Sequence, residues 1–124
     1  MTSERLFALR GAASVEANTA EAILAATEAL MSELIARNGL EIERIVSCIF
    51  TTTDDLDAAF PALAARRLGF ERVPLLCTRE INVPGSLQGV IRVLLHYYAP
   101  ADHTARHVYL GAAQSLRADL NAAQ

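Results

Sequence analysis

The chain has 124 residues, of which 52% are hydrophobic, and its 11 basic and 14 acidic side chains give a net charge of −3. It contains no basic block and no apolar run long enough to cross a membrane, which argues against nucleic acid and a membrane as partners. We expect a single domain over residues 1–124, located in the cytoplasm because no apolar signal core follows the N-terminus. Such an apolar small domain should bury part of its surface between identical subunits.

The basic residues are all arginine, because the sequence contains no lysine. Schiff-base chemistry on a lysine side chain is therefore excluded. Any anion site must use guanidinium groups, which suit planar carboxylates. The two cysteines, Cys48 and Cys77, form neither a disulfide framework nor a zinc site, and we expect reduced thiols in apolar strands.

The first apolar run, Leu6–Leu9, predicts a strand that ends at Arg10, where a glycine follows. A helix should come next. Asn18 is placed to cap it, Glu21 stands three residues later as in a capping box, and an Asn-Gly pair ending at Gly39 signals its stop. This is the one long helix of the chain, about twenty residues from cap to cap.

The middle of the chain begins with Ile45–Thr52, a β-branched run that predicts a buried strand. Thr53–Leu56 should cap a short helical turn, whose dipole is a better explanation for Asp54 and Asp55 than a metal pair. Phe60–Phe70 has a proline near its start and a glycine near its end, and predicts a short helix.

Three further strands are predicted at Val73–Ile81, Val90–Tyr98 and Arg106–Leu110. The segment Asn82–Gly85 supplies turn chemistry between the first two, and residues 112–124 form a small-residue tail. The order of elements therefore predicts an α+β fold with one mixed or antiparallel sheet.

Arg92 stands inside an apolar strand, so we expect it to be partly buried and to have an anionic partner such as Glu80. Two readings are open. The two residues form a structural ion pair with no pocket beside them, or they point into a cavity and hold a ligand. Cys77 lies three residues before Glu80, so strand alternation places it on the opposite face unless the strand bends or ends.

The polar residues set in apolar context are mostly cationic, which suits a small di-acid that also carries a hydroxyl or ether oxygen. The set offers charge stabilisation and few nucleophiles, and the three histidines have no standard metal spacing. Its members are Arg10, Arg66, Cys77, Glu80, Arg92, Tyr109 and Arg117.

Five segments, in order and at matching spacing, resemble the monofunctional trimeric chorismate mutases of the α/β pseudo-barrel class. The likeness runs from about Leu6 to Leu120. It implies rearrangement of chorismate to prephenate without a cofactor or covalent intermediate. It also implies a mixed sheet packed on one long helix, and three chains that form a barrel-like centre with sites at their interfaces. The segments are Leu9–Glu16, Asp55–Leu56 with Ala59–Ala62, Val73–Glu80, Ile91–Val93 and Arg106–Leu110.

The resemblance also assigns roles to residues. Arg92 would donate to the ether oxygen of the breaking bond, Glu80 and Cys77 would contact the ring hydroxyl, and Arg10 and Tyr109 would hold a carboxylate. The cavity wall would comprise Phe60, Leu76 and Leu116, with Arg66 and Arg117 near the mouth. Leu63, Leu76 and Val90 depart from residues found in some relatives, and Leu63 replaces a rim lysine.

This chemistry agrees with the residues. The rearrangement needs no proton transfer. It needs a compact substrate and positive charge where the ether oxygen becomes electron-rich. Two alternatives stay open from the sequence: a trimeric enamine or imine hydrolase, which would need a site for an activated water, and a non-catalytic sensor of a carboxylated metabolite.

Overall fold

A computed structural model describes residues 3–116. It consists of a five-stranded sheet with helices packed on one face. Single turns of 3-10 helix follow the long helix, at Ile42–Arg44, and the last strand, at Gly111–Gln114. The main elements are β1 (Glu4–Ser14), α1 (Ala20–Asn38), β2 (Ile45–Thr52), α2 (Ala62–Arg67), β3 (Leu75–Arg79), β4 (Val90–Pro100) and β5 (Val108–Leu110).

The sheet has the strand order β3-β2-β4-β1-β5. Its central strand, β4, pairs antiparallel with both β1 and β2, whereas the two edge strands pair in parallel, β3 with β2 and β5 with β1. The sheet is thus mixed, and the predicted α+β fold with one long helix is confirmed.

Helix α1 begins and ends on side-chain and glycine signals. The Thr19 hydroxyl accepts the N–H of Ala22 at 3.1 Å, and Gly39 adopts the left-handed conformation (φ 58°) that ends the helix. The predicted stop is confirmed, but the predicted cap at Asn18 is wrong. Asn18 instead accepts the N–H groups of Asp57 and Ala58, at 3.0 and 3.1 Å, and ties the helix start to the segment before α2.

Strand β1 is longer than predicted, because it continues through Arg10 and Gly11 to Ser14. Gly11 does not break the strand; it lets the helix come close. A Cβ atom there would lie 3.1 Å from the side chains of Leu30, Leu34 and Val93, so a larger residue would force these side chains to shift where α1 packs on the sheet. Arg10 consequently lies within a strand that is paired on both edges.

Two other boundaries differ. After β2 the chain makes one turn, closed by the N–H of Leu56 on the carbonyl of Thr53 at 3.0 Å, but no helix follows until α2. The short turn predicted at Thr53–Leu56 is therefore present, but it is a single turn that does not continue into a helix. Strand β3 is shorter than the run that predicted it, so Glu80 lies just beyond its end.

The sheet has one face against the helices and one facing outward. Leu9, Phe50 and Leu95 belong to the core between sheet and α1, and all are fully buried. On the outward face, the turn after β5 and Leu116 pack against Ala12 and Val90, and much of the remainder is exposed. No helix in the described part of the chain is long and apolar enough to cross a membrane.

Candidate active site

A cavity of about 340 Å³ opens on the outward face of the sheet, where β1, β2, β4 and β5 come together. Its polar lining consists of Arg10, Thr51, Glu80, Arg92 and Tyr109. The remaining lining residues are small or apolar. Four of the residues predicted for the site therefore meet in one place, where two guanidinium groups stand against one carboxylate.

The strand register explains this convergence. Arg92 on β4 lies opposite Ala12 on β1 and opposite Thr51 on β2, and Tyr109 on β5 also pairs with Ala12. Arg10 lies two residues before Ala12, so it points to the same face. Residues far apart in the sequence thus become neighbours across four strands.

The Arg92 guanidinium is paired with a carboxylate, as predicted: its Nε lies 3.1 Å from Oε1 of Glu80. The prediction that Arg92 is partly buried is wrong for the single chain, because its side chain is 45% exposed whereas that of Glu80 is 17% exposed. The apolar neighbours of Arg92 in sequence, Ile91 and Val93, point to the helices, and Arg92 points outward. The pair borders open cavities, unlike the purely structural pair considered above.

A second cavity, of about 270 Å³, lies on the other side of the same pair. It is formed by the segment 81–88, which joins Glu80 to β4, and by Thr53 and Asp54. Glu80 and Arg92 therefore stand on the wall between two adjoining spaces.

Tyr109 carries an unsatisfied polar atom. Its hydroxyl is buried and has no hydrogen-bond partner in the described part of the chain. A buried hydroxyl without a partner is costly, and Tyr109 is one of the residues that line the cavity, so this hydroxyl is available to donate to an acceptor group of a ligand. Arg10 lines the same cavity.

His107 holds the backbone at Arg10, a contact that no sequence motif indicated. Its Nδ1 accepts the N–H of Arg10 at 2.9 Å. Burial, together with the Arg10 guanidinium, lowers the pKa of His107 below its usual value. A ring that accepts from a backbone N–H must be unprotonated at Nδ1, so the geometry requires the neutral imidazole.

Asp55 fixes the start of β4. It accepts the Thr53 hydroxyl at 2.6 Å and the N–H of Gly89 at 3.2 Å, and the Thr53 hydroxyl in turn accepts the N–H of Val90 at 3.1 Å. The Thr53 hydroxyl is the main reason that the pKa of Asp55 lies below its usual value, and Gly89 adds to it. These contacts set the chain two residues before Arg92.

Arg79, the last residue of β3, performs a matching task for Glu80. Its guanidinium donates to three backbone carbonyls in the turn after β2. The N–H of Glu80 donates to the carbonyl of Thr52 at 2.9 Å. The backbone that carries the carboxylate is thereby held against β2.

The remaining predicted residues do not join this cavity in the single chain. Phe60 and Cys77 line a separate cavity of about 390 Å³ near α2. Cys77 pairs with Phe50 of β2 and so faces the helices, whereas Glu80 lines the two cavities beside Arg92. Leu76 points outward.

Three further predicted positions have different environments. Leu116 is buried with Ala12 and Val90 beside Tyr109. Arg66 is exposed in the last turn of α2. Arg117 lies outside the described residues. Phe60 and Leu76 are 74% and 59% exposed, which is unusual for large apolar side chains.

The two thiols are free and differ in environment. Cys48 is fully buried, and burial raises its pKa to about 12. Cys77 is only partly buried. Residues 3–116 contain no group of three or more histidine, cysteine, aspartate or glutamate side chains that is arranged to hold a metal ion.

Comparison with known proteins shows which family the sequence and fold match. The profile of the family described as chorismate mutase type I matches residues 6–120. The chain is 50% identical to the chorismate mutase AroH of Thermus thermophilus over 119 residues, covering 94% of this chain and 97% of that protein. It is 40% identical to the chorismate mutase AroH of Bacillus subtilis, covering 91% of each. A solved chorismate mutase from Clostridium thermocellum superposes with a TM-score of 0.83 at 48% identity, covering 88% of this chain and 98% of that one.

Proposed function

The chain belongs to the type I chorismate mutase family and is an isomerase, and we propose that its reaction, the rearrangement of chorismate to prephenate, takes place in the 340 Å³ cavity beside Arg92. The observation that carries this placement is the meeting of Arg10, Glu80, Arg92 and Tyr109 around one space. The family matches favour this function over the hydrolase and the sensor considered from the sequence.

Arg92 has the central role in the proposal. As the ether C–O bond breaks, negative charge grows on its oxygen, and a fixed guanidinium stabilises that charge without having to reorient. The ion pair with Glu80 at 3.1 Å supports this role because it fixes one edge of the guanidinium and leaves the other edge able to donate. No proton is transferred, so the site needs no general base.

The other residues bind and shape the substrate. Chorismate is a dianion and the protein carries a net charge of −3, so the arginines must make the cavity locally positive. We assign one carboxylate to Arg10 and the unpartnered Tyr109 hydroxyl, and the ring hydroxyl to a lone pair of Glu80. These contacts hold the substrate in the compact shape from which the new bond forms.

A second copy of the chain completes the proposed site. Phe60, Leu76 and Cys77 lie away from the Arg92 cavity within one chain, yet Phe60 and Leu76 expose most of their apolar surface. We propose a homotrimer in which each site takes its cationic groups from one copy and these wall residues, which lie near β3 and α2, from the next. A cytoplasmic location stays a prediction from the sequence.

Mixing two inactive variants tests the shared site. Arg92→Ala removes the cation, and Phe60→Asp places a charge in the apolar wall of the site. If each site combines the two residues from different copies, subunits unfolded and reassembled together at equal amounts should form an intact site in about one case in four. The readout is the loss of chorismate absorbance. If each copy had its own complete site, mixing would restore nothing, and unmixed wild-type protein that leaves chorismate unchanged would contradict the function itself.

A further inference from the structure

Glu80 is held by two different partners. One carboxylate oxygen, Oε1, is engaged by Arg92, and the other, Oε2, accepts a hydrogen bond from the hydroxyl of Thr51. Thr51 appears in none of the motifs that identify the site, and it lines the 340 Å³ cavity. We propose that Thr51 is a positioning residue for the reaction, because it fixes the plane of the Glu80 carboxylate and, through it, the Arg92 guanidinium. This inference rests on the roles proposed above for Glu80 and Arg92.

The need for such a residue follows from where Glu80 lies. It comes one residue after the end of β3, so its side chain is not constrained by strand neighbours on both sides. A glutamate side chain has several rotatable bonds, and a single contact with Arg92 would leave its carboxylate free to rotate about the last one. A second contact, on the opposite oxygen, removes that freedom.

Thr51 is well placed to provide this second contact to the Glu80 carboxylate. It lies on β2, the strand between β3 and β4, directly opposite Arg92 on one side and Thr78 on the other. Its neighbour Thr52 accepts the backbone N–H of Glu80 at 2.9 Å. The same short stretch of β2 therefore holds both the backbone and the carboxylate of Glu80. A threonine side chain on a strand also has few accessible rotamers, which keeps the hydroxyl aimed.

The consequence for the reaction is specific. With one lone pair on each oxygen occupied by Thr51 and Arg92, the plane of the carboxylate, and so the direction of its remaining lone pairs, is fixed where Glu80 lines the two cavities. Loss of the hydroxyl would let the carboxylate turn and the guanidinium follow it. Since the guanidinium acts on charge that develops only in the transition state, kcat should fall more than KM rises.

Three proteins separate this role from a structural one: the wild type, Thr51→Val and Thr51→Ser. Valine keeps the branched shape and removes the hydroxyl, whereas serine keeps the hydroxyl and is the poorer strand former. We expect Thr51→Val to lower kcat/KM about tenfold, mainly through kcat, and Thr51→Ser to stay within about threefold of the wild type. The order of thermal stability should be the reverse of the order of activity: the serine variant should be less stable than the valine variant.

A double-mutant cycle shows whether Thr51 acts through Glu80. In a Glu80→Gln background the effect of Thr51→Val should shrink to less than about threefold, because the partner it positions has already been altered. A valine variant as active as the wild type, a serine variant as impaired as the valine variant, or an undiminished effect in the double variant would each overturn the inference. Glu80→Gln at wild-type turnover would instead overturn the role proposed for Glu80 and this inference with it. If Glu80→Gln is impaired and Thr51→Val is fully active, only the inference on Thr51 is overturned, and the role proposed for Glu80 stands.

Discussion

The imidazole of His107 and the backbone of Arg10 are joined by a hydrogen bond in which Nδ1 accepts the N–H at 2.9 Å. The bond links the residue before β5 to β1 at the edge of the proposed site, and it exists only while Nδ1 is unprotonated. Burial and the Arg10 charge lower the pKa of His107, so the folded protein favours the neutral ring.

This bond predicts a loss of stability in mild acid. The pKa of His107 has its ordinary value of 6.5 in the unfolded chain and is lower in the folded protein, so at pH values between these two pKa values the unfolded chain binds more protons. The free energy of unfolding should therefore fall as the pH drops below 6.5. We expect chemical denaturation to show a weaker pH dependence in His107→Gln, since the glutamine carbonyl accepts the same N–H without titrating. Parallel pH curves for the two proteins would contradict this.

Arg92 should be the most sensitive position for turnover. Arg92→Ala is expected to lower kcat by about 100-fold or more, the usual effect of removing a preorganised donor to a developing oxyanion. Arg92→Lys should recover little, because an ammonium group does not reproduce the planar fork that engages Glu80 and the ether oxygen together. Steady-state kinetics with chorismate measures both.

Arg37→Ala is the matched control for Arg92→Ala. It also removes one arginine from an ion pair, with Glu33 at 2.7 Å, but both side chains are about half exposed on α1. It should leave kcat and KM unchanged. If Arg92→Ala retained near wild-type turnover, the proposed mechanism would be ruled out.

The strands and the helix end were readable from local patterns, but the environment of Arg92 was not. Ile45–Thr52 was predicted to the residue and Gly39 was identified as the helix end, because both depend on neighbours along the chain. The burial of Arg92 was inferred from flanking apolar residues, which holds only if both faces of the strand are covered. Here those neighbours face the helices and Arg92 faces outward.

Side-chain contacts between distant segments could not be predicted from the sequence either. Thr51 and His107 gain their roles from cross-strand partners, Glu80 and Arg10, that lie 29 and 97 positions away. A glycine after Arg10 allows either a turn or a close approach of the backbone, and only the structure shows that Gly11 serves the close approach of α1. Each of these depends on which surfaces meet, and spacing along the chain does not report that.

The two cysteines should differ in reactivity. Cys48 is fully buried and its pKa is raised to about 12, so almost no thiolate forms at neutral pH. Cys77 is partly buried and lines the 390 Å³ cavity with Phe60. A small thiol reagent should label one thiol per native chain and two in denaturant, and Cys77→Ser should abolish the native labelling. Equal labelling of both thiols in the native protein would contradict this assignment.

Tyr97, which is buried, and Tyr109, which is partly buried, provide a test in which stability and substrate binding should separate. The Tyr97 hydroxyl is hydrogen-bonded to Nε2 of His103 at 2.8 Å, whereas the Tyr109 hydroxyl has no partner among residues 3–116. Removing a bonded hydroxyl typically costs about 1 kcal/mol of stability, and removing an unpartnered buried one costs nothing or stabilises. Tyr97→Phe should therefore lower the melting temperature, and Tyr109→Phe should hold or raise it.

Substrate binding should respond in the opposite sense. If the Tyr109 hydroxyl donates to a carboxylate of the bound substrate, Tyr109→Phe loses a charge-assisted hydrogen bond, and KM should rise about tenfold. Tyr97 faces the core on the helix side of β4, away from the site, so Tyr97→Phe should leave KM unchanged. Thermal melts and chorismate titrations on the two variants provide the measurement. A destabilised Tyr109→Phe with unchanged KM would mean that its hydroxyl has a structural partner, such as one on a neighbouring copy, and that the carboxylate binds elsewhere.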